Sequence, residues 1–219
     1  MSIKSASDRA SQSTPDPVVR LAFVGNVHKL IALGYSRMDR QGYRDSGENL
    51  LNQDFVAALR AVTQDGPAWA CHFAIHEKQK QNDGVLEGND RFELDFCLER
   101  TQRGPHPSFI IEAKRLGTSH PLSTYLGPEG LGAYISCEYA KDHCDAGMLG
   151  YVQSKTVAAW CNLLATELGV SPGNSAVHQS GKWKLNTFRD GPGNTYRTRH
   201  NRKLQRPPIT VFHTLLDFT

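Results

Sequence analysis

Two neighbouring segments of this chain carry acids and a lysine at spacings that can do chemistry. In the first, Phe92, Leu94, Phe96 and Leu98 alternate with Glu93, Asp95, Cys97 and Glu99, the period of a half-buried strand. Gly104, Pro105 and Pro107 then mark a turn, and Ser108-Phe-Ile-Ile-Glu-Ala-Lys114 resumes as a second, mostly apolar strand. Side chains two apart on a strand share a face, roughly 6.6 to 7 Å from one another. Glu112 therefore projects with Lys114, and Glu93 with Asp95. Pairing of the two strands with their acidic faces on one side brings Asp95, Glu112 and Lys114 together. Carboxylates that close repel and raise each other's pKa unless a cation sits between them. Mg²⁺ accepts such oxygens while keeping room for waters and a substrate phosphate. A lysine beside the ion can orient or help deprotonate a metal-bound water, the nucleophile of metal-assisted phosphodiester hydrolysis. The structural alternative is an acidic strand face paired with Lys114, Arg91 or Arg115 in surface salt bridges.

The elements that must position these residues can be read from period and punctuation. Val18 to Leu33 spaces Leu21, Val24, His28, Ile31 and Ala32 as a helix, with Gly34 as its stop, behind a mobile arm over residues 1–17. Asp45 to Gln64 is a helix with Leu51, Phe55, Leu59 and Val62 on one face. Glu48 lies on that face near its start, where Asp45 as N-cap would make it the N3 residue of a capping box. A strand is expected over Trp69 to His76, a loop over Glu77 to Asp90 and another over Gly117 to Pro128. A helix follows over Glu129 to Lys141, then a buried strand over Ala146 to Val152. Ser154 is the expected cap of a last helix with Val157, Trp160, Cys161, Leu164 and Leu168 inside. Beyond it, Lys182 to Arg189, Tyr196 to His200 and Pro208 to Phe218 read as further β structure.

From Asp45 to Gln153 the order is helix, three strands, helix, strand, with Asp95 on the second strand and Glu112-Ala113-Lys114 on the third. In that order and motif the chain resembles the PD-(D/E)XK nuclease superfamily over residues 45–153, about half its length. Leu94 stands where many members have proline. The Gln-x-x-x-Tyr pair of the exonuclease branches is missing, because Val157 stands four residues after Gln153, so no role in processing DNA ends is carried over. The resemblance implies an α/β, restriction-endonuclease-like αβββαβ core with a mixed central sheet flanked by helices. To this the chain would add an N-terminal helix and a basic C-terminal β extension over 182–219, all within one domain over 18–219. It implies Mg²⁺, or Mn²⁺ in its place, held by Asp95, Glu112 and the Ala113 carbonyl, with Lys114 positioning the water. Glu48 is then the candidate for the glutamate that the first core helix gives to the metal site, in competition with the capping role. The implied activity is endonucleolytic cleavage of DNA in a bacterial or phage defence, restriction or repair setting. A regulatory or ATPase partner protein, or a homodimer, fits family habit. The alternative is a catalytically inactive nuclease-fold module that binds nucleic acid or assembles with a partner.

Composition bounds these readings. Apolar residues make up 39% and charged residues 21% of the 219, ordinary for a soluble globular chain. The sequence shows no apolar run near the roughly 18 residues that cross a bilayer, and its first residues lack the apolar stretch of a signal peptide. Five cysteines without a Cys-x-x-Cys pair suggest reduced thiols in a cytoplasm. Net charge is +3, yet Lys182, Lys184, Arg189, Arg197, Arg199, Arg202, Lys203 and Arg206 face a single acid, Asp190, within 182–206, which leaves the rest of the chain acidic. Such a segment suits a phosphate backbone, with Arg197, Arg199, His200, Arg202 and Lys203 as the candidate contacts. A solvated loop region is the bland alternative.

Overall fold

The computed structural model describes residues 16–80, 93–101, 107–170 and 183–219. The expected N-terminal arm lies outside them except for its last two residues, as do Arg91 and the side chain of Glu93. The chain forms an α/β structure built on a mixed seven-stranded sheet flanked by helices.

Helix α1 spans Pro17–Ser36. Pro17 suits its first turn, and the Asp16 carboxylate accepts the Val18 N–H at 2.8 Å. By length and composition this 20-residue helix could cross a bilayer, but Phe23, Val24, Val27, Leu30 and Ile31 are buried in the core. The expected inner face is corrected at Leu21, which is exposed. Helix α2, Glu48–Asp65, buries Leu51, Asn52, Phe55, Val56, Leu59 and Val62. The two helices meet closely at Gly34, where a Cβ would lie 2.6 Å from Leu59 Cδ2, so only a residue without a side chain fits unshifted.

The strands are β1 Phe73–Lys80, β2 Glu93–Arg100, β3 Ser108–Leu116, β4 Asp145–Val152, β5 Lys184–Leu185, β6 Thr195–His200 and β7 Ile209–Asp217. β1 starts later than expected because Ala70–His72 close a turn of 3₁₀ helix. Between β3 and β4 the expected loop holds a short helix α3, Leu122–Leu126. Helix α4, Leu131–Ser136, ends well before Lys141, because Cys137 turns left-handed at φ 68°. Helix α5, Val157–Val170, is capped by Thr156, whose hydroxyl accepts the Ala159 N–H at 3.2 Å, and not by Ser154.

The strand order is β1-β2-β3-β4-β7-β6-β5. β3, β4 and β7 run parallel; the other neighbours are antiparallel. The C-terminal strands are thus no appendix to the sheet, since β7 lies inside it beside β4. β4 is buried throughout and β7 nearly so, which is why both read as apolar runs and not as alternations. One face of the sheet packs under α1 and α2 through Phe55, Phe96, Ile111, Tyr151 and Phe212. The other packs under α3, α4 and α5 through Tyr125, Tyr134, Met148, Trp160 and Val211.

Phe55 joins helix to sheet on the first face, its ring centroid 5.9 Å from that of Phe96 and 6.4 Å from that of Tyr151. Phe55→Ala is expected to cost about 3–5 kcal/mol, seen in urea unfolding as a lower midpoint at unchanged slope.

Candidate functional site

The site begins where two strands part. The pairing of β2 with β3 runs from Glu99↔Ser108 to Phe96↔Ile111 and stops, while β1 stays with β2 to Glu93 and β4 stays with β3 to Leu116. Backbone N–H groups two apart on a strand point to the same edge. Beyond the break, those of Ala113 and Arg115 would lack acceptors. Two carboxylates take the place of the missing strand. Asp95 Oδ2 accepts the Ala113 N–H at 2.8 Å, and Glu48 Oε2 accepts that of Arg115 at 3.1 Å.

Glu48 reaches β3 because it is the first residue of α2, following Gly47 as N-cap, and no side chain caps this end. The capping-box expectation is therefore corrected: Asp45 precedes the helix, and the Glu48 carboxylate points to β3. The chain entering α2 is held by Gln153, whose amide nitrogen donates to the carbonyls of Tyr43 at 2.7 Å and Ser46 at 2.8 Å. The Arg115 guanidinium adds a contact to Ser46 O at 3.3 Å.

Lys114 lies between two of the acids. Its Nζ donates to Glu112 Oε1 at 2.6 Å and to Glu48 Oε1 at 3.3 Å. Glu112 is 3% exposed and Lys114 8%. Burial, then the charge of Asp95, pushes the Glu112 carboxyl up to about 8 against the pull of Lys114, with Glu48 adding to the rise. Burial opposes the ammonium of Lys114, but Glu112 and Glu48 outweigh it and raise its pKa, so it stays charged. Glu112 Oε2 is buried with no hydrogen-bond partner among the described residues. The phenols of Tyr134 and Tyr139 stay protonated, pushed up by burial and then by the charge of Glu112.

The remaining oxygen of Asp95, Oδ1, accepts from Asn52 Nδ2 at 2.9 Å, and Asn52 Oδ1 accepts from the Tyr151 hydroxyl at 2.8 Å. Sequence reasoning missed Asn52, Tyr151 and Gln153 and offered Arg115 only as a surface salt-bridge partner. A signal existed for Asn52, a polar residue one turn after Glu48 within the apolar stripe of α2. Gln153 likewise follows the apolar run Ala146 to Val152 with a polar group.

The structure thus brings Glu48, Glu112 and Lys114 into direct contact and joins Asp95 to them through the Ala113 backbone. It does not bring the basic candidates there. Arg197 is level with Phe212, Gly147 and Ile111 across the sheet. That places it three strand spacings, roughly 14 Å, from β3. Like Ile111 it belongs to the α1–α2 face, whereas Glu112 and Lys114 alternate to the other. Arg197 and Arg199 are exposed, and so is Lys203. His200 is fully buried, hydrogen-bonded to Thr198 at 2.6 Å, and so cannot meet a surface phosphate. Arg202 spends its guanidinium on the carbonyls of Pro207 at 2.7 Å and Ala140 at 2.8 Å.

An unpartnered buried oxygen on Glu112, next to the charge of Asp95, fits a divalent cation, and the oxygen donors suit Mg²⁺. Among the described residues, no three His, Cys, Asp or Glu groups are already gathered around one point for an ion. Comparison with protein-family models, curated proteins and solved structures finds no match.

Because the Glu112 carboxyl is raised in the folded chain, the fold binds its proton more tightly than the unfolded chain does. The stability it contributes is complete below about pH 4.5, is lost as pH rises through about 8, and changes no further above that. The expected loss is on the order of 1 kcal/mol per pH unit within that window. Urea unfolding at several pH values should show this decline in the wild type and a flatter profile in Glu112→Gln.

Proposed function

We propose that this chain is a metal-dependent nuclease with a restriction-endonuclease-like core, hydrolysing phosphodiester bonds of DNA. One observation carries the reading: the acid and the acid-x-lysine motif expected from sequence meet at the point where β2 and β3 part, with Lys114 bonded to Glu112 at 2.6 Å and Asp95 bonded to the backbone between them. The helix, three strands and later strand that frame the motif support it. Asp95, Glu112 Oε2 and the Ala113 carbonyl would hold Mg²⁺ or Mn²⁺.

When bound, such an ion supplies Lewis-acid polarisation of the phosphate and a water acidic enough to attack it. The protein's own groups do the rest. Glu112 and Glu48 keep Lys114 charged, so its Nζ serves as a donor that orients the attacking water and meets negative charge developing on the phosphate, and not as the base. Glu48 fixes that ammonium while tying α2 to β3 through Arg115 N–H. Arg197 and Arg199, exposed on the other face of the sheet, lie too far away to take part in the reaction.

A second reading has an observation of its own. Lys114 already spans Glu112 and Glu48 and partly neutralises them, as in a nuclease fold that binds DNA or a partner protein without cutting. Cleavage of supercoiled plasmid, linear duplex and single-stranded DNA with Mg²⁺, Mn²⁺ or EDTA separates the two. The nuclease is expected to cut with either metal and not in EDTA, and to lose roughly 100-fold or more in Asp95→Ala and Lys114→Ala while both retain the wild-type circular dichroism. DNA binding without cutting under any condition supports the second reading, and equal cutting by all three proteins overturns the site.

A further inference from the structure

The Asn52–Tyr151 pair carries a step beyond the site as described. A buried asparagine on a helix is costly unless its polar atoms are met. Here both ends are met, by different groups: the Tyr151 hydroxyl donates to Oδ1 at 2.8 Å, and Nδ2 donates to Asp95 Oδ1 at 2.9 Å. Asn52 is 7% exposed and Tyr151 fully buried, its ring set edge-on against Phe55 and Phe218, so neither side chain has room to swing. An amide is nearly symmetrical in shape, and its neighbours decide which end faces which way. The Asp95 carboxylate, which can only accept, takes the NH₂ end, and the phenol, able to donate or accept, meets the oxygen end and holds the amide in place. With Asn52 on one oxygen and Ala113 N–H on the other, the carboxylate is gripped at both ends and cannot rotate about its Cβ–Cγ bond.

We propose that Asn52, held in place by Tyr151, is a positioning residue that fixes the plane of the Asp95 carboxylate and hence the direction in which that group meets a divalent ion. The inference rests on the metal-site reading given above. Neither residue touches the ion or the substrate. Hydrogen bonds to metal-ligating side chains act in this way generally, and their removal weakens metal binding roughly 10- to 100-fold. The competing role is structural, with the amide and the phenol satisfying one another in the core between α2 and β4.

The test uses the full chain and Mn²⁺ itself, titrated by electron paramagnetic resonance of the free ion, with melting temperatures taken in EDTA. Wild type, Asp95→Ala, Asn52→Leu, Tyr151→Phe and the Asn52→Leu/Tyr151→Phe double variant are compared. Asn52→Leu is expected to weaken Mn²⁺ binding roughly tenfold or more, and Tyr151→Phe to weaken it less. Because the phenol acts through the amide, the double variant should bind no more weakly than Asn52→Leu alone. The Mn²⁺ concentration for half-maximal cleavage should move in parallel. Should Asn52→Leu not fold, Tyr151→Phe, which loses one oxygen and keeps its ring, decides the matter. Lower melting temperatures with unmoved Mn²⁺ affinity would overturn the inference alone, provided that Asp95→Ala abolishes binding. A wild type that binds no Mn²⁺ overturns the metal site and this inference with it.

Discussion

The constraint on which this structure turns is the need to satisfy the N–H groups of β3 after β2 has left it. A buried donor left unmet costs about 1–3 kcal/mol. The chain meets that need with carboxylates and not with another strand, Asp95 for Ala113 and Glu48 for Arg115. Much of the neighbourhood follows. Glu48 can reach β3 only if α2 begins at that spot, and Gln153 with Arg115 pins the approach to the helix by the carbonyls of Tyr43 and Ser46. Two of the acids, Asp95 and Glu48, are therefore also parts of the sheet's hydrogen bonding where β2 and β3 part.

That double duty sets the electrostatics. Removing a pair of opposite charges from water costs several kcal/mol per ion unless each is well met. Lys114 has two carboxylates within reach and is well met. Glu112 is met on one oxygen and, among the described residues, not on the other, while burial and then the charge of Asp95 raise its carboxyl to about 8. A site in which the lysine is satisfied and the acid is not is poised to take up positive charge at the acid. The same imbalance means that Glu112 opposes folding more as pH rises, so any function it has comes at some cost in stability.

How much of this was legible in the sequence depends on how local the cause is. Strand period gave β2 and β3, and two-residue spacing put Glu112 beside Lys114, because both follow from backbone geometry within a few residues. The same local rule places His200 on the face opposite Arg197 and Arg199, two residues from buried Thr198, so its loss as a phosphate contact was readable from the alternation. The position of β7 was not. Its apolar run says that both faces are covered, but nothing in it says that it lies parallel to β4, which precedes it by over fifty residues of chain.

Glu48 shows the limit more sharply. Position near a helix start suits both a cap and an outward reach, and a two-residue uncertainty in where α2 begins decides between them. With Asp45 as cap the carboxylate would have turned back on its own helix. With Gly47 there instead, the same side chain is aimed at β3. Asn52 is a harder case still. Its partners are 43 residues away at Asp95 and 99 residues away at Tyr151. What the sequence holds is only the anomaly, an amide in an apolar stripe, and the anomaly gains meaning when the sheet supplies an acid on one side of it and a phenol on the other. Polar residues that interrupt an apolar helix face one turn from a candidate acid are thus the places where a sequence marks a site without naming what the site contains.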